Sequence, residues 1–231
     1  MIKIENVEIA GWEPAIRVLH SSNNSQEESD SERKYESWHD MSGGYFDIGP
    51  NDLNLITSLR NSDTGHWEFM QMITVYLDIT APSYWWREFD ACRMCVVANP
   101  YSMTHQIVAK EFTLEDFSQE HLTILAKDRL VDTVDALNCY RDIYLNWGKQ
   151  DGIIQRMFEY NKKQVWWQMI QLLPNSYNQK RTIMLSYEAL ANIYKGRYNH
   201  KLDEWHEFYK WAEGLPYSGL ITGTKFLIKG D

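Results

Sequence analysis

The stretch "APSYWWREFDACRMCVVANPYSMTHQI", residues 81–107, decides how this chain is read. It opens on Ala81-Pro82, carries adjacent tryptophans at 85 and 86, two arginines at 87 and 93, and cysteines at 92 and 95. Just before it, Gln71, Ile73, Val75, Leu77 and Ile79 alternate with Met72, Thr74, Tyr76 and Asp78. Period-two alternation is the mark of a half-buried strand. Proline is tolerated in a helix's first turn, where its missing N–H costs nothing. A helix over 82–93 leaving the end of a strand is therefore predicted, with Asn99-Pro100 closing the unit.

Upstream, Ile2 to Ile9 reads as a short strand and Trp12 to Leu19 as a helix or loop. "HSSNNSQEESDSERK", 20–34, is Ser-rich and acidic and reads as a flexible surface loop. Asn51 or Asp52 can cap a short helix whose Leu55, Ile56 and Leu59 share a face. Downstream the chain reads as mostly helical. "TLED" from Thr113 has the form of a capping box. Leu130, Val134, Leu137, Tyr140 and Tyr144 mark one stripe, and Ile154, Met157 and Phe158 begin another segment. Val165, Trp166, Met169, Ile170 and Leu173 continue the pattern to Pro174. Ile183, Tyr187, Leu190, Ala191 and Tyr194 predict an amphipathic helix before Gly196, and Trp205, Phe208, Tyr209 and Ala212 a last one. The expected architecture is α+β: an antiparallel or mixed sheet with several long helices, a single domain over residues 1–231.

Composition limits the function. The net charge of −9 opposes a broad phosphate-backbone surface, so a nucleic-acid partner is not expected. One pocket with two or three arginines still suffices for a nucleotide-sized anion. The three cysteines, Cys92, Cys95 and Cys139, are too few and odd in number for a disulfide framework, which points to a reducing, cytoplasmic setting. Zinc would need a second ligand pair beside Cys92 and Cys95, and none stands at suitable spacing, so no metal is expected. No stretch reaches the ~18 apolar residues of a membrane span. Aromatics are abundant, with 10 Trp, 14 Tyr and 8 Phe, which suits a deep core, a subunit interface or a site for planar rings. Within Trp85-Trp86 and Trp166-Trp167 the rings point about 100° apart on a helix, predicting one ring in the core and the other against a partner subunit.

The order of these signals resembles the flavin-dependent thymidylate synthases, also called thymidylate-synthase-complementing proteins. His66 stands fifteen residues before Ala81-Pro82, and an arginine-bearing helix follows, as in that family. "LITSLRNSDTGH" looks like the family's lead into its histidine, and "LLPNSYNQKRTIMLSYEALANIYKGRYNHKLDEW" is similar to its C-terminal block. Pro174, Asn192 and Arg197 fall at that block's spacing, with His200 and Glu204 after a one-residue deletion. The likeness covers roughly residues 50–107 and 165–212.

The chain also departs from the family pattern. Its R-H-R-x7-S signature is here Ala91-Cys92-Arg93, with Tyr101 at the serine position, Ser102 one place on, and Met103 where an arginine follows. Glu188 stands for an arginine of the C-terminal helix, and Gln168 and Gln171 lie near another missing one. Charge-assisted bonds are the strongest anchors for phosphate. At about 1.5–3 kcal/mol each, two losses cost a factor of hundreds or more in affinity.

The resemblance implies FAD as cofactor, held by His66, Arg93, Asn192 and His200. It implies a pyrimidine nucleotide, dUMP or a relative, met by Glu88, Tyr101, Ser102 and Arg197. It also implies methylenetetrahydrofolate as one-carbon donor, NADPH as reductant, and a homotetramer with shared sites. No protein nucleophile is assigned. Each residue has a plainer role open to it. His66 could be a surface turn residue, Arg93 a surface ion pair and Glu88 a solvated helix face. Tyr101 could be core, and Arg197 a cation at a helix C-terminus. The same fold acting on another pyrimidine, or a non-catalytic nucleotide- or flavin-binding or assembly protein, is the alternative function.

Overall fold

The computed structural model describes residues 2–23, 29–34, 45–62, 67–92, 97–100, 107–148 and 161–223. The strand predicted from residue 71 begins three residues later, as β4 (Thr74–Pro82), after a 3₁₀ turn over Glu68–Gln71. Its buried face is Val75, Leu77, Ile79 and Ala81, as the alternation requires. β4 lies in a four-stranded sheet of order β1-β4-β6-β5, with β1 Lys3–Ala10, β5 Val97–Pro100 and β6 Asn178–Ser186. A two-stranded antiparallel ribbon joins β2 (Glu32–Lys34) to β3 (Tyr45–Asp47), pairing Arg33 with Phe46.

Helices are α1 (Trp12–Asn23), α2 (Pro50–Arg60), α3 (Ser83–Asp90), α4 (Ile124–Leu145) and α5 (Lys162–Leu172). Three more follow: α6 (Tyr187–Arg197), α7 (Asp203–Glu213) and the single turn α8 (Gly219–Thr222). The fold is α+β, as expected. The residues group into two compact units whose boundary falls within β4 and β6.

The first unit contains residues 1–3, 79–91 and 99–181. Its core joins Ile107, Phe112, Phe117, Leu130, Val134, Leu137, Met169 and Tyr177. The stripe predicted on 130–144 is thus the buried face of α4, with Tyr140 and Tyr144 partly covered beside it. The predicted capping box is present at a 3₁₀ turn over Leu114–Asp116, with Asp116 accepting from the Thr113 N–H at 2.9 Å and the Thr113 side chain accepting from the Asp116 N–H. The helix expected over 82–93 is α3, and it is shorter. Pro82 precedes it, and its first donors, the N–H groups of Ser83 and Tyr84, are met by the carbonyls of Tyr177 and Asn175.

Trp85 and Trp86 correct the expectation of one outward ring, because both are fully buried. The Trp86 indole donates to the Gln179 carbonyl at 3.0 Å, and the Arg181 guanidinium lies 4.3 Å from its ring centre. The chain's own strand and a cation cover the ring, leaving no face for a partner. Trp166-Trp167 does divide as expected, with Trp166 packed on the core and Trp167 exposed. The segment around 154–158 lies outside the described residues.

The second unit contains residues 4–78, 92–98 and 182–231. Here the predicted helix from Ile183 is corrected: Ile183 and Leu185 are the buried positions of β6, and α6 starts only at Tyr187. The Ser186 hydroxyl accepts from the Ala189 N–H at 3.1 Å and so marks the true start. Asp52 does not cap α2, whose N-cap is Gly49. The Asp30 carboxylate takes that part, accepting from the N–H groups of Asn51 and Asp52 at 2.9 and 3.1 Å.

The 20–34 segment expected to be a loop is structured at both ends. His20 is a buried residue of α1, and β2 begins at Glu32. Between them Ser29 and Ser31 donate to Asp52, at 2.7 and 2.5 Å. Gly11 takes φ +98°, and a Cβ there would lie 1.9 Å from the Met72 carbonyl oxygen, so only glycine fits this turn.

Candidate functional site

Of the site candidates that the structure describes in the second unit, Arg197 and His200 meet at the end of α6, while Asn192 stands at its middle. Its buried stripe, Tyr187, Leu190, Ala191 and Ile193, fixes the helix. The Tyr187 N–H donates to the Ile73 carbonyl at 2.9 Å, and its hydroxyl donates to the Pro216 carbonyl at 2.7 Å. Burial pushes the Tyr187 phenol well above its ordinary value, so it stays a neutral donor. That anchoring sets the positions of Asn192 and Arg197, both half-buried on the helix's flanks.

Arg197 ends the helix, and its carbonyl accepts the His200 N–H at 2.9 Å. The Nδ1 of His200 accepts from the Leu202 N–H at 3.2 Å. An acceptor nitrogen carries no proton, so in this geometry the ring's own proton is on Nε2. Both side chains turn toward Trp205 of α7: the guanidinium carbon is 5.7 Å from its ring centre, and the imidazole centre 6.0 Å away.

Behind Trp205 lies Tyr209, stacked at 6.0 Å and 27°. It is 3% exposed, and its hydroxyl has no hydrogen-bond partner among the described residues. Burial raises its pKa first, and the field of Cys92 adds to this, while Arg197 pulls the other way. The Arg197 guanidinium, the Cys92 thiol and the Tyr209 hydroxyl therefore share one neighbourhood. Tyr194 and Tyr198 flank Tyr209 at 5.2 and 6.2 Å, completing an aromatic wall. Trp205 and Tyr209 are buried, so it is the exposed Tyr198, with one guanidinium and one imidazole, that offers stacking and charge-assisted donors to a planar anion.

Glu88 belongs to the first unit, half-buried on α3 between Arg87 and Phe89. Its neighbour Arg87 donates to the Asn175 side-chain oxygen at 2.6 Å. His66, Arg93, Tyr101 and Ser102 lie outside the described residues. Sequence reasoning did not single out Trp205 or Tyr209 as site residues. Their helical spacing marked them only as core, and a buried hydroxyl lacking a partner has no sequence signal. Among the described residues no cluster of three metal-ligating side chains occurs, and no helix is long and apolar enough to cross a membrane.

No protein-family model matches the chain, and no curated protein matches it in sequence. Solved structures do. Thymidylate synthase X from Helicobacter pylori, crystallised with FAD and dUMP, superposes with a TM-score of 0.59 at 15% identity. The match covers 95% of this chain and 96% of that one. This chain has the fold of flavin-dependent thymidylate synthase. A second structure of the Helicobacter pylori enzyme with FAD and dUMP gives the same TM-score and identity over 94% of this chain and 96% of that one. A UMP/dUMP methylase from Streptomyces cacaoi, bound with 5-Br dUMP, overlaps at a TM-score of 0.46 and 14% identity, over 83% of this chain and 75% of that one. The thymidylate synthase fold explains why so few sequence landmarks suffice: an end-to-end likeness persists at an identity too low to carry side-chain roles across.

Proposed function

We propose that this protein is a flavoprotein that transfers a one-carbon unit to C5 of a pyrimidine nucleotide, dUMP or a close relative. The observation that carries this reading is an end-to-end fold likeness to an enzyme crystallised with FAD and dUMP. The Arg197–His200–Trp205 grouping adds support from this chain's own residues. In the proposal methylenetetrahydrofolate donates the carbon, NADPH is the reductant, and residues 1–231 act as one domain in a cytoplasmic homotetramer.

Tyr209 bears on the fit, since a buried hydroxyl without an acceptor is costly unless a bound group answers it. Arg197 would hold a phosphate or carbonyl oxygen through its planar fork. Asn192 would present an amide to a ring edge, and His200 would donate through Nε2. His66 and Arg93 would contribute to the flavin, and Glu88, Tyr101 and Ser102 to the nucleotide. Bound reduced FAD would supply the hydride that completes a methyl group. The chain's residues would bind, orient and exclude water, which accounts for the lack of any nucleophile in the assignment.

Two departures favour a second reading, in which the substrate is another pyrimidine nucleotide or catalysis has been lost. Ala91 and Cys92 stand where the resembled signature has cation and imidazole, and Glu188 puts an acid in the first turn of α6. Release of tritium from dUMP labelled at C5, by protein supplied with FAD, NADPH and methylenetetrahydrofolate, tests the first reading. Release above that of an Arg197→Ala control supports it. Flavin binding without release moves the assignment to the second.

A further inference from the structure

A cavity of about 560 Å³ lies within the second unit, where the start of α1, the β2–β3 ribbon and the turn Pro216–Tyr217 come together. Its described lining contains neither the Arg197–His200–Trp205 grouping nor any of Tyr194, Tyr198 and Tyr209. None of the residues assigned by the resemblance lines it among those described.

The aromatic part of the wall is held rigidly. The Gly11 turn leads β1 directly into α1, so Trp12 stands at the helix start. The Trp12 ring meets Tyr187 and Tyr217 edge-on, both at 5.0 Å, with interplanar angles of 75° and 67°. Tyr217 sits at φ 51°, a left-handed conformation that is costly for a bulky side chain. Bonds on either side keep it there. The Pro216 carbonyl accepts the Tyr187 hydroxyl at 2.7 Å, and the Tyr217 hydroxyl accepts the Ile48 N–H at 3.4 Å. Tyr45 of β3, 53% exposed, adds a further ring to the lining.

Charge decides which guest suits these rings. The described lining holds two carboxylates, Glu13 and Asp47, and one cation, Arg33. Arg33 meets Glu13 through a single oxygen, with Nε at 3.2 Å and Nη2 at 2.6 Å from Oε2. Lys34 takes only Oδ2 of Asp47. Oε1 of Glu13 and Oδ1 of Asp47 therefore have no partner among the described residues, and both carboxylates reach solvent. The α1 N-terminus favours negative charge, which Glu13 in its first turn already supplies. Aromatic faces edged by spare carboxylate oxygens attract a cation and disfavour a phosphate. A metal ion is a poor fit, since no three metal-ligating side chains cluster among the described residues, whereas the volume suits an organic molecule.

We infer that this cavity binds a small organic cation, an alkylated ammonium whose methyl groups pack on Trp12, Tyr45 and Tyr217 and whose charge faces Glu13 and Asp47. The site is independent of the flavin and nucleotide reading at Arg197.

Calorimetric titration with choline tests the inference, with 3,3-dimethylbutan-1-ol, of the same shape and no charge, as control at constant ionic strength. The variants are Tyr45→Ala, Tyr45→Phe and Glu13→Gln, all at solvent-accessible side chains, and a thermal melt of each checks the fold. The expected result is saturable choline binding about tenfold or more tighter than that of the neutral alcohol. Tyr45→Ala and Glu13→Gln should each weaken it about threefold or more, while Tyr45→Phe, which keeps the ring, stays within about twofold of wild type. Equal binding of the two ligands, a Tyr45→Ala titration that superposes on wild type, displacement of choline by dUMP, or no saturation up to about 100 mM choline overturns the site.

Discussion

Replacing Asp52 by alanine will lower the melting temperature sharply. Asp52 is 1% exposed and His20 is 5% exposed, and Nε2 of His20 lies 2.5 Å from Oδ1. Ser29 and Ser31 donate to Oδ2. Burial pushes the Asp52 carboxyl up, but the bonds from Ser31, Ser29 and His20 outweigh it, and the net pKa falls below the ordinary value. An ionised carboxylate only accepts, so the His20 ring must be the donor.

Alanine removes all three bonds. The serines, at the surface or near it, can turn to water, whereas the buried imidazole cannot. Losing a hydrogen bond between a buried group and a charged one costs about 1.5–3 kcal/mol. For a chain of this size each kcal/mol is worth about 2–4 °C, so the melting temperature should drop by roughly 3–12 °C at pH 7. Asp52→Asn keeps one acceptor and should cost less. The depressed pKa also fixes a pH signature. Stability from Asp52 is present above the ordinary carboxylate value of about 3.9 and is lost as pH falls through the lower folded value. Melts followed by circular dichroism should therefore show the gap between wild type and Asp52→Asn closing below about pH 4. An alanine variant within about 1 kcal/mol of wild type at neutral pH would refute the reasoning.

Arg181→Ala should cost about 1–2 kcal/mol, read by denaturant midpoint. It strips the cation from the Trp86 ring and two bonds to Asp90 at 2.9 and 3.1 Å. Tyr209→Phe should leave the melting temperature unchanged or raise it slightly, because the hydroxyl it removes has no acceptor among the described residues. The same variant should weaken FAD or dUMP binding if that hydroxyl answers a ligand, and unchanged affinity removes Tyr209 from the site.

Strands and helices with one clear period were readable in the sequence. β4 alternates, the stripe from Leu130 to Tyr144 repeats helically, and Trp205, Phe208, Tyr209 and Ala212 form the buried face of α7. The region around Ile183 misled because its apolar spacing to Tyr187 fits a helix as well as the end of a strand. Ser186 was the signal that would have divided them. The Asp52 latch could not be read, since it joins residues 32 apart whose polarity suggests solvent exposure. Asn192, Arg197 and His200 were singled out only by the family resemblance, and the structure turns Arg197 and His200 toward one indole.

Whether this chain holds a flavin is best settled by titrating the purified protein with FAD, following quenching of flavin fluorescence. Saturable binding near one FAD per chain, weakened about tenfold or more by Arg197→Ala, is the predicted result. No saturation up to about 1 mM FAD would contradict it.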